Sequence, residues 1–140
     1  KYRIDSYPLE DFTPATPMDK LPSTAEVDLD AGPVMISVEY HIEKNKKEEF
    51  QKLMSRMRKS HLKQGALSWS LFEDAEHQGK FFEFFIFETW ADYLRRFDRF
   101  TTEDLRMQEE CLRLHTDTHP PRITRRVASA IKNSLDCRKK

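Results

Sequence analysis

Excess charge, glycine, cysteine and long apolar runs are all scarce in this chain, and each scarcity excludes something. Its 24 Lys and Arg residues balance 24 Asp and Glu residues. Phosphate binding is driven mainly by clustered positive charge, so no nucleic-acid partner is expected. With three glycines the chain cannot build a Gly-rich phosphate cradle, and it has no glycine-flanked serine and no CxxC pair. These absences count against nucleotide and cofactor enzymes, so no cofactor is expected. Of two cysteines, Cys111 falls in a helical apolar pattern and Cys137 in a basic tail. They make no disulfide framework and are read as reduced thiols of a cytosolic protein. No apolar run approaches the ~20 residues that span a bilayer. The N-terminus also lacks the basic, apolar and small-residue order of a signal peptide.

What is present divides the chain in three. Residues 1–32 carry Pro8, Pro14, Pro17 and Pro22 and no sustained apolar period, so they read as an extended linker. Tyr7, Leu9, Phe12 and Met18 could still dock on a domain surface. Residues 33–128 hold the regular structure, and the basic segment 129–140 is expected to fray. The chain starts at Lys1 rather than methionine, which suggests a piece of something longer.

Within the middle segment, Val34, Ile36, Val38, Tyr40 and Ile42 alternate with Ser37, Glu39 and His41. That period of two marks a strand with one apolar face. From about Asn45 to Lys63, Phe50, Leu53, Met54, Met57 and His61 recur at helical spacing, and Gly65 is placed to end the helix in a left-handed turn. Leu67–Glu73 and Lys80–Glu88 read as two strands joined by a polar loop ending in Gly79. Thr89-x-x-Asp92 and Thr101-x-x-Asp104 are successive capping signals that open a pair of helices. After Pro120-Pro121, Arg122–Ala128 reads as a last edge strand. The order is a ferredoxin-like β-α-β-β-α-β fold of the α+β class, with a helix pair before the last strand.

One layer of helices leaves one sheet face bare. KFFEFFIFE is apolar on both faces, so one set of its aromatics would meet water in a monomer. A homodimer through the sheet face, closing a dimeric α+β barrel, is therefore expected. The same strand superficially matches the aromatic strand of RNA-binding modules, but Phe82-Glu83 stands where those need a small residue and a basic surround. His115 and His119 are four apart, yet Pro120 follows at once, so a polar helix end fits better than a metal site. Glu39 and His41 share the polar side of the first strand, with Trp69 and Arg125 on neighbouring strands as further cavity candidates. A carboxylate beside an imidazole suits acid–base work; a polar pair that stabilises the dimer is the plainer account.

Four segments in register carry a family resemblance: GPVMISVEYHI, GALSWSLFEDAE, FFEFFIFETWADYLRRFDRFT and PPRITRRVA. Their Gly32, Pro33, Val34, Glu39, Tyr40, Gly65, Ala66, Trp69, Glu83, Phe85, Trp90, Asp92, Leu94, Arg95, Arg99 and Thr101 match the pattern in order and spacing. The chain resembles the C-terminal soluble domain of bacterial major-facilitator exporters of the transmembrane secretion effector, or enterobactin-exporter-like, type. That resemblance implies a cytosolic accessory domain of a small-molecule efflux transporter. It would serve dimerisation, regulation or cargo sensing at the cytoplasmic face of the inner membrane, tethered through preceding membrane helices. The fold of such tails is similar to the antibiotic-biosynthesis monooxygenases, small cofactor-free dimeric barrels. A monooxygenase acting on an aromatic or polyketide substrate is thus the alternative. The usual histidines after the Trp-x-acid step and in the last strand are replaced here by Tyr93, Phe97 and Arg125. The implied cavity, able to take a small hydrophobic ligand, is expected to be lined by Glu39, His41, Trp69, Trp90, Tyr93 and Arg125.

Overall fold

The computed structural model describes Met18 and residues 26–131. Strand β1 (Val34–His41) is followed by a 3-10 turn (Lys44–Lys46) and helix α1 (Lys47–Lys63). Strands β2 (Ser68–Glu73) and β3 (Lys80–Phe87) form a hairpin. Helices α2 (Trp90–Asp98) and α3 (Thr102–Leu114) then lead into strand β4 (Arg122–Val127). The four strands make one antiparallel sheet in the order β2-β3-β1-β4, the ferredoxin-like arrangement expected from the element order, with β4 at an edge.

Alternation in β1 decides which face is covered. Val34, Ile36, Val38 and Tyr40 point into the core against Phe50, Met54 and Met57 of α1, an apolar stripe at the predicted helical spacing. On β3, Phe81, Glu83, Phe85 and Phe87 face the same way, while Phe82, Phe84 and Ile86 lie half-buried on the other face. Leu67 falls just before β2 and is exposed, where the sequence pattern suggests a strand position; Trp69 and Leu71, of the same parity, pack on the core.

Two glycines are required by geometry. Gly65 ends α1 at φ +110°, the left-handed region that side chains resist. Gly32 lies so close to the end of β3 that a Cβ would sit 2.0 Å from the Glu88 carbonyl oxygen. Both helix-opening threonines act as caps. Thr101 and Asp104 complete a reciprocal capping box on α3, whereas on α2 the Asp92 side chain turns to the Thr89 hydroxyl instead of the backbone. Cys111 is buried in α3. Tyr7, Leu9, Phe12 and Cys137 lie outside the described residues. Met18 does dock as anticipated: its backbone N–H donates to Gln108 Oε1 at 2.6 Å and its side chain packs on the core.

Candidate functional site

The six residues expected to line one cavity stand on opposite faces of the sheet. Glu39 pairs in register with Phe82 and His41 with Lys80, placing both on the face away from the helices. Trp69 pairs with Phe85, and Arg125 with Ile36, on the helix-covered face. Trp90 and Tyr93 belong to α2 and pack on that covered side as well. The period of two explains the split, since residues of opposite parity on paired strands cannot meet across a backbone. The sheet therefore separates Glu39 and His41 from the other four, and the six do not line one cavity within the chain.

On the covered side, Glu83 is the centre. It is the one acidic residue of strand β3 and is 1% exposed. Tyr40 Oη donates to its Oε1 at 2.9 Å, Trp69 Nε1 donates to its Oε2 at 2.8 Å, and His61 Nε2 lies 3.1 Å from Oε2. Burial alone would push the Glu83 carboxyl up. The positive charge and contact of His61, with the Trp69 and Tyr40 hydrogen bonds, outweigh it and hold the carboxyl below its ordinary 4.5. Burial and the same carboxylate push the Tyr40 phenol well above 10.0.

Sequence reasoning misses this network, although its signals are there. Glu83 shares parity with Phe81, Phe85 and Phe87, and His61 continues the apolar stripe of α1. A charge and an imidazole on two faces that must pack together have to answer one another.

Next to Glu83 and His61 is a cavity of about 20 Å³, bordered by Gln64, Phe85, Arg96, Asp104 and Met18. That volume holds about one water molecule. The His61 imidazole stacks on Phe85 with centroids 4.1 Å apart, and the buried Arg96 guanidinium lies 5.6 Å from the centres of both Phe85 and Phe97. Asp104 takes hydrogen bonds from Ser60 Oγ, from Gln64 Nε2 at 2.8 Å and from the Thr101 backbone at 2.9 Å, which ties the start of α3 to the end of α1. Further along, Arg125 Nε donates to Tyr93 Oη at 3.1 Å, and Trp90 packs on Tyr93 at 5.2 Å.

The opposite face is open. Phe72 is 58% exposed and meets Phe84 edge-on at 5.7 Å, with Phe82 and Ile86 beside them. Towards β4 the face turns polar. His41 Nε2 and Glu39 Oε2 are 2.9 Å apart, so the expected carboxylate–imidazole pair forms, and Lys80 Nζ reaches the same oxygen at 3.6 Å. The Ser37 and Thr124 hydroxyls bond across the β1–β4 pairing. His115, by contrast, is used locally: its Nδ1 accepts from the His41 backbone at 3.1 Å and its Nε2 lies 2.8 Å from the His119 carbonyl. Among the described residues, no His, Cys, Asp and Glu group is arranged to hold a metal.

The sequence profile of the family described as "Transmembrane secretion effector" matches residues 1–133. The chain belongs to that family. No curated protein matches the chain. Among solved structures, the fold is similar to a provisional antibiotic biosynthesis monooxygenase from Nitrosomonas europaea, at 12% identity and TM-score 0.60 over 73% of this chain and 95% of that one. It is also similar to SnoaB, a cofactor-independent oxygenase from Streptomyces nogalater, at 12% identity and TM-score 0.55 over 72% and 95%. Rv0793 from Mycobacterium tuberculosis aligns at 15% identity and TM-score 0.55 over 74% and 99%. At such identities the likeness establishes the α+β fold and no activity. The family description is of a membrane protein, while among the described residues no helix is long and apolar enough to cross a membrane.

Proposed function

We propose that this member of the transmembrane secretion effector family is a cytosolic accessory domain of a small-molecule efflux transporter, pairing two transporter subunits through its open sheet face. The observation that carries the reading is the distribution of aromatics on that sheet. All three helices cover one face, and Phe72, Phe82, Phe84 and Ile86 are left on the other. A contiguous aromatic patch of this kind is costly in water and marks an interaction surface. A second copy offers a matching flat patch, and a two-fold pairing makes each residue serve on both sides. Residues 1–32 would then be the linker from preceding membrane helices, with the domain at the cytoplasmic face of the inner membrane.

Sedimentation velocity on the 140-residue chain tests the pairing. A dimer at micromolar concentration is expected, and Phe84→Lys should shift it to monomer with the circular dichroism unchanged. A clean monomer of the unaltered chain overturns the pairing. The reading frame upstream of codon 1 tests the tether, because hydrophobic helices encoded there support it and their absence removes it.

The second reading is a cofactor-free monooxygenase, favoured by the buried Glu83–His61 pair beside a cavity. Magnitude weighs against it: about 20 Å³ is far below the roughly 300 Å³ or more of sites that enclose a drug-sized molecule. Oxygen uptake with phenolic substrates, abolished by Trp69→Ala, would promote this reading over the first.

A further inference from the structure

We propose that the polar half of the open sheet face is a binding site for a small aromatic carboxylate. The pocket there has a volume of about 370 Å³, in the range of small-molecule sites. Its floor is Phe82 and Phe84, whose rings lie nearly parallel with centroids 6.3 Å apart. Above them, on the β4 side, the linked hydroxyls of Ser37 and Thr124 form the centre of the polar wall. Arg122 and Arg126 flank Thr124 along the same strand face, and Arg126 Nη1 already reaches the Thr124 hydroxyl at 2.9 Å. Among the described residues neither arginine is ion-paired to a carboxylate, whereas Glu39, the one carboxylate lining the pocket, is engaged by His41 and Lys80.

The ligand class follows from matching each part of this wall. Guanidinium and hydroxyl donors together suit a carboxylate, and Arg favours it through paired, charge-assisted hydrogen bonds. The phenyl floor suits a flat ring, because aromatic pairs gain beyond the area they bury. An inorganic anion would leave the floor uncovered, and a neutral arene would leave the arginines unanswered. Only a molecule with both parts uses the whole pocket. The inference goes beyond the pairing proposed above and does not rest on it: every lining residue comes from one chain, and because Phe82 and Phe84 serve both, the ligand and a second copy compete for this face.

The test is calorimetric titration of the 140-residue chain with 2-naphthoate, with 2-naphthamide and inorganic phosphate as controls. Sedimentation is measured on the same samples. Saturable binding of 2-naphthoate is expected, with both controls at least about tenfold weaker. Arg126→Ala should weaken it about tenfold, in line with one lost charge-assisted hydrogen bond. Phe84→Leu should weaken naphthoate more than it weakens acetate. Arg122 and Arg126 are exposed, so circular dichroism of their variants should be unchanged. If the unaltered chain is a dimer, the titration is repeated on Phe72→Lys, which breaks the pairing without touching the pocket lining. No saturation of the monomeric chain with 2-naphthoate, equal binding of the amide, or indifference to both Arg126→Ala and Arg122→Ala each overturns the site. An unaltered chain that is monomeric without ligand and binds 2-naphthoate removes only the pairing, and a dimer whose Phe72→Lys monomer binds nothing removes only this site.

Discussion

Trp69 on β2 and Glu83 on β3 are diagonal neighbours across the hairpin, and the indole Nε1 donates to the carboxylate at 2.8 Å. The bond fixes the second oxygen of a buried charge whose first oxygen is held by Tyr40. It therefore links strands β1, β2 and β3, and through His61 helix α1, at one carboxylate. Such a hub turns its own removal into a multiple loss.

Glu83→Ala leaves the Tyr40 hydroxyl and the Trp69 N–H without their acceptor and His61 without its counter-charge. Breaking a buried pair from one side costs about 3–5 kcal/mol. For a domain of this size that is a fall in Tm of roughly 10–30 °C. Glu83→Gln keeps one acceptor oxygen and should cost less, while Trp69→Phe removes one donor and should cost about 1–3 kcal/mol. Thermal melts followed by near-ultraviolet circular dichroism rank the three. A Glu83→Ala chain within 1 kcal/mol of the unaltered protein would remove the hub from the account of stability.

The depressed carboxyl of Glu83 predicts a pH dependence with a definite sign. Its folded value lies below the ordinary 4.5, so on acidification the unfolded chain takes up the proton first and stability falls with pH. The contribution is complete above about pH 4.5, declines as pH drops through the folded value, and is gone beneath it. The difference in stability between the unaltered chain and Glu83→Gln is the readout, because Glu73, Asp74 and Asp117, also depressed, are present in both and cancel. That difference should shrink as the pH falls below 4.5. A difference that grows on acidification contradicts the assignment.

The fold was legible because its signals are local. Val34 to Ile42 alternate, Phe50 to His61 repeat at 3.6, and Thr89 and Thr101 announce their helices by a spacing of three; each needs only neighbours in sequence. The site was legible in part. Glu39 and His41 are two apart on one strand, so their contact follows from strand geometry alone. Grouping them with Trp69 and Arg125 failed because facing depends on the register of β2 on β3 and of β4 on β1, which no single segment encodes. Glu83 was hidden for the opposite reason. Its neighbours Phe82 and Phe84 made both faces of β3 look equally apolar, and only the pairing with β1 shows which parity is covered.

Helix α3 offers a test of the local signals. Thr101 Oγ1 accepts from the Asp104 N–H at 3.1 Å, and the Asp104 carboxylate returns to the Thr101 N–H at 2.9 Å. Thr101→Ala removes one half of the box and should cost about 1 kcal/mol. Asp104→Ala removes the other half together with the bonds from Ser60 and Gln64, so it should cost clearly more. Urea titrations of both variants decide it. Equal costs would mean that the α1–α3 tie contributes nothing beyond the cap.

Cys111 should be chemically silent while the chain is folded. It is fully buried in α3 beside Met57, and burial, with the negative Glu83 nearby, pushes its thiol well above 9.0. Only the thiolate attacks alkylating reagents, so reaction must wait for the region to open. In a Cys137→Ser chain, Cys111 is the one remaining thiol. Its labelling by iodoacetamide at pH 8 should be at least ~10³-fold slower than in denaturant, in proportion to the open population. Glu83→Ala should raise the native rate, because it increases the open population by loosening the same core. Labelling of the folded chain at the rate of a free thiol would place Cys111 outside that core.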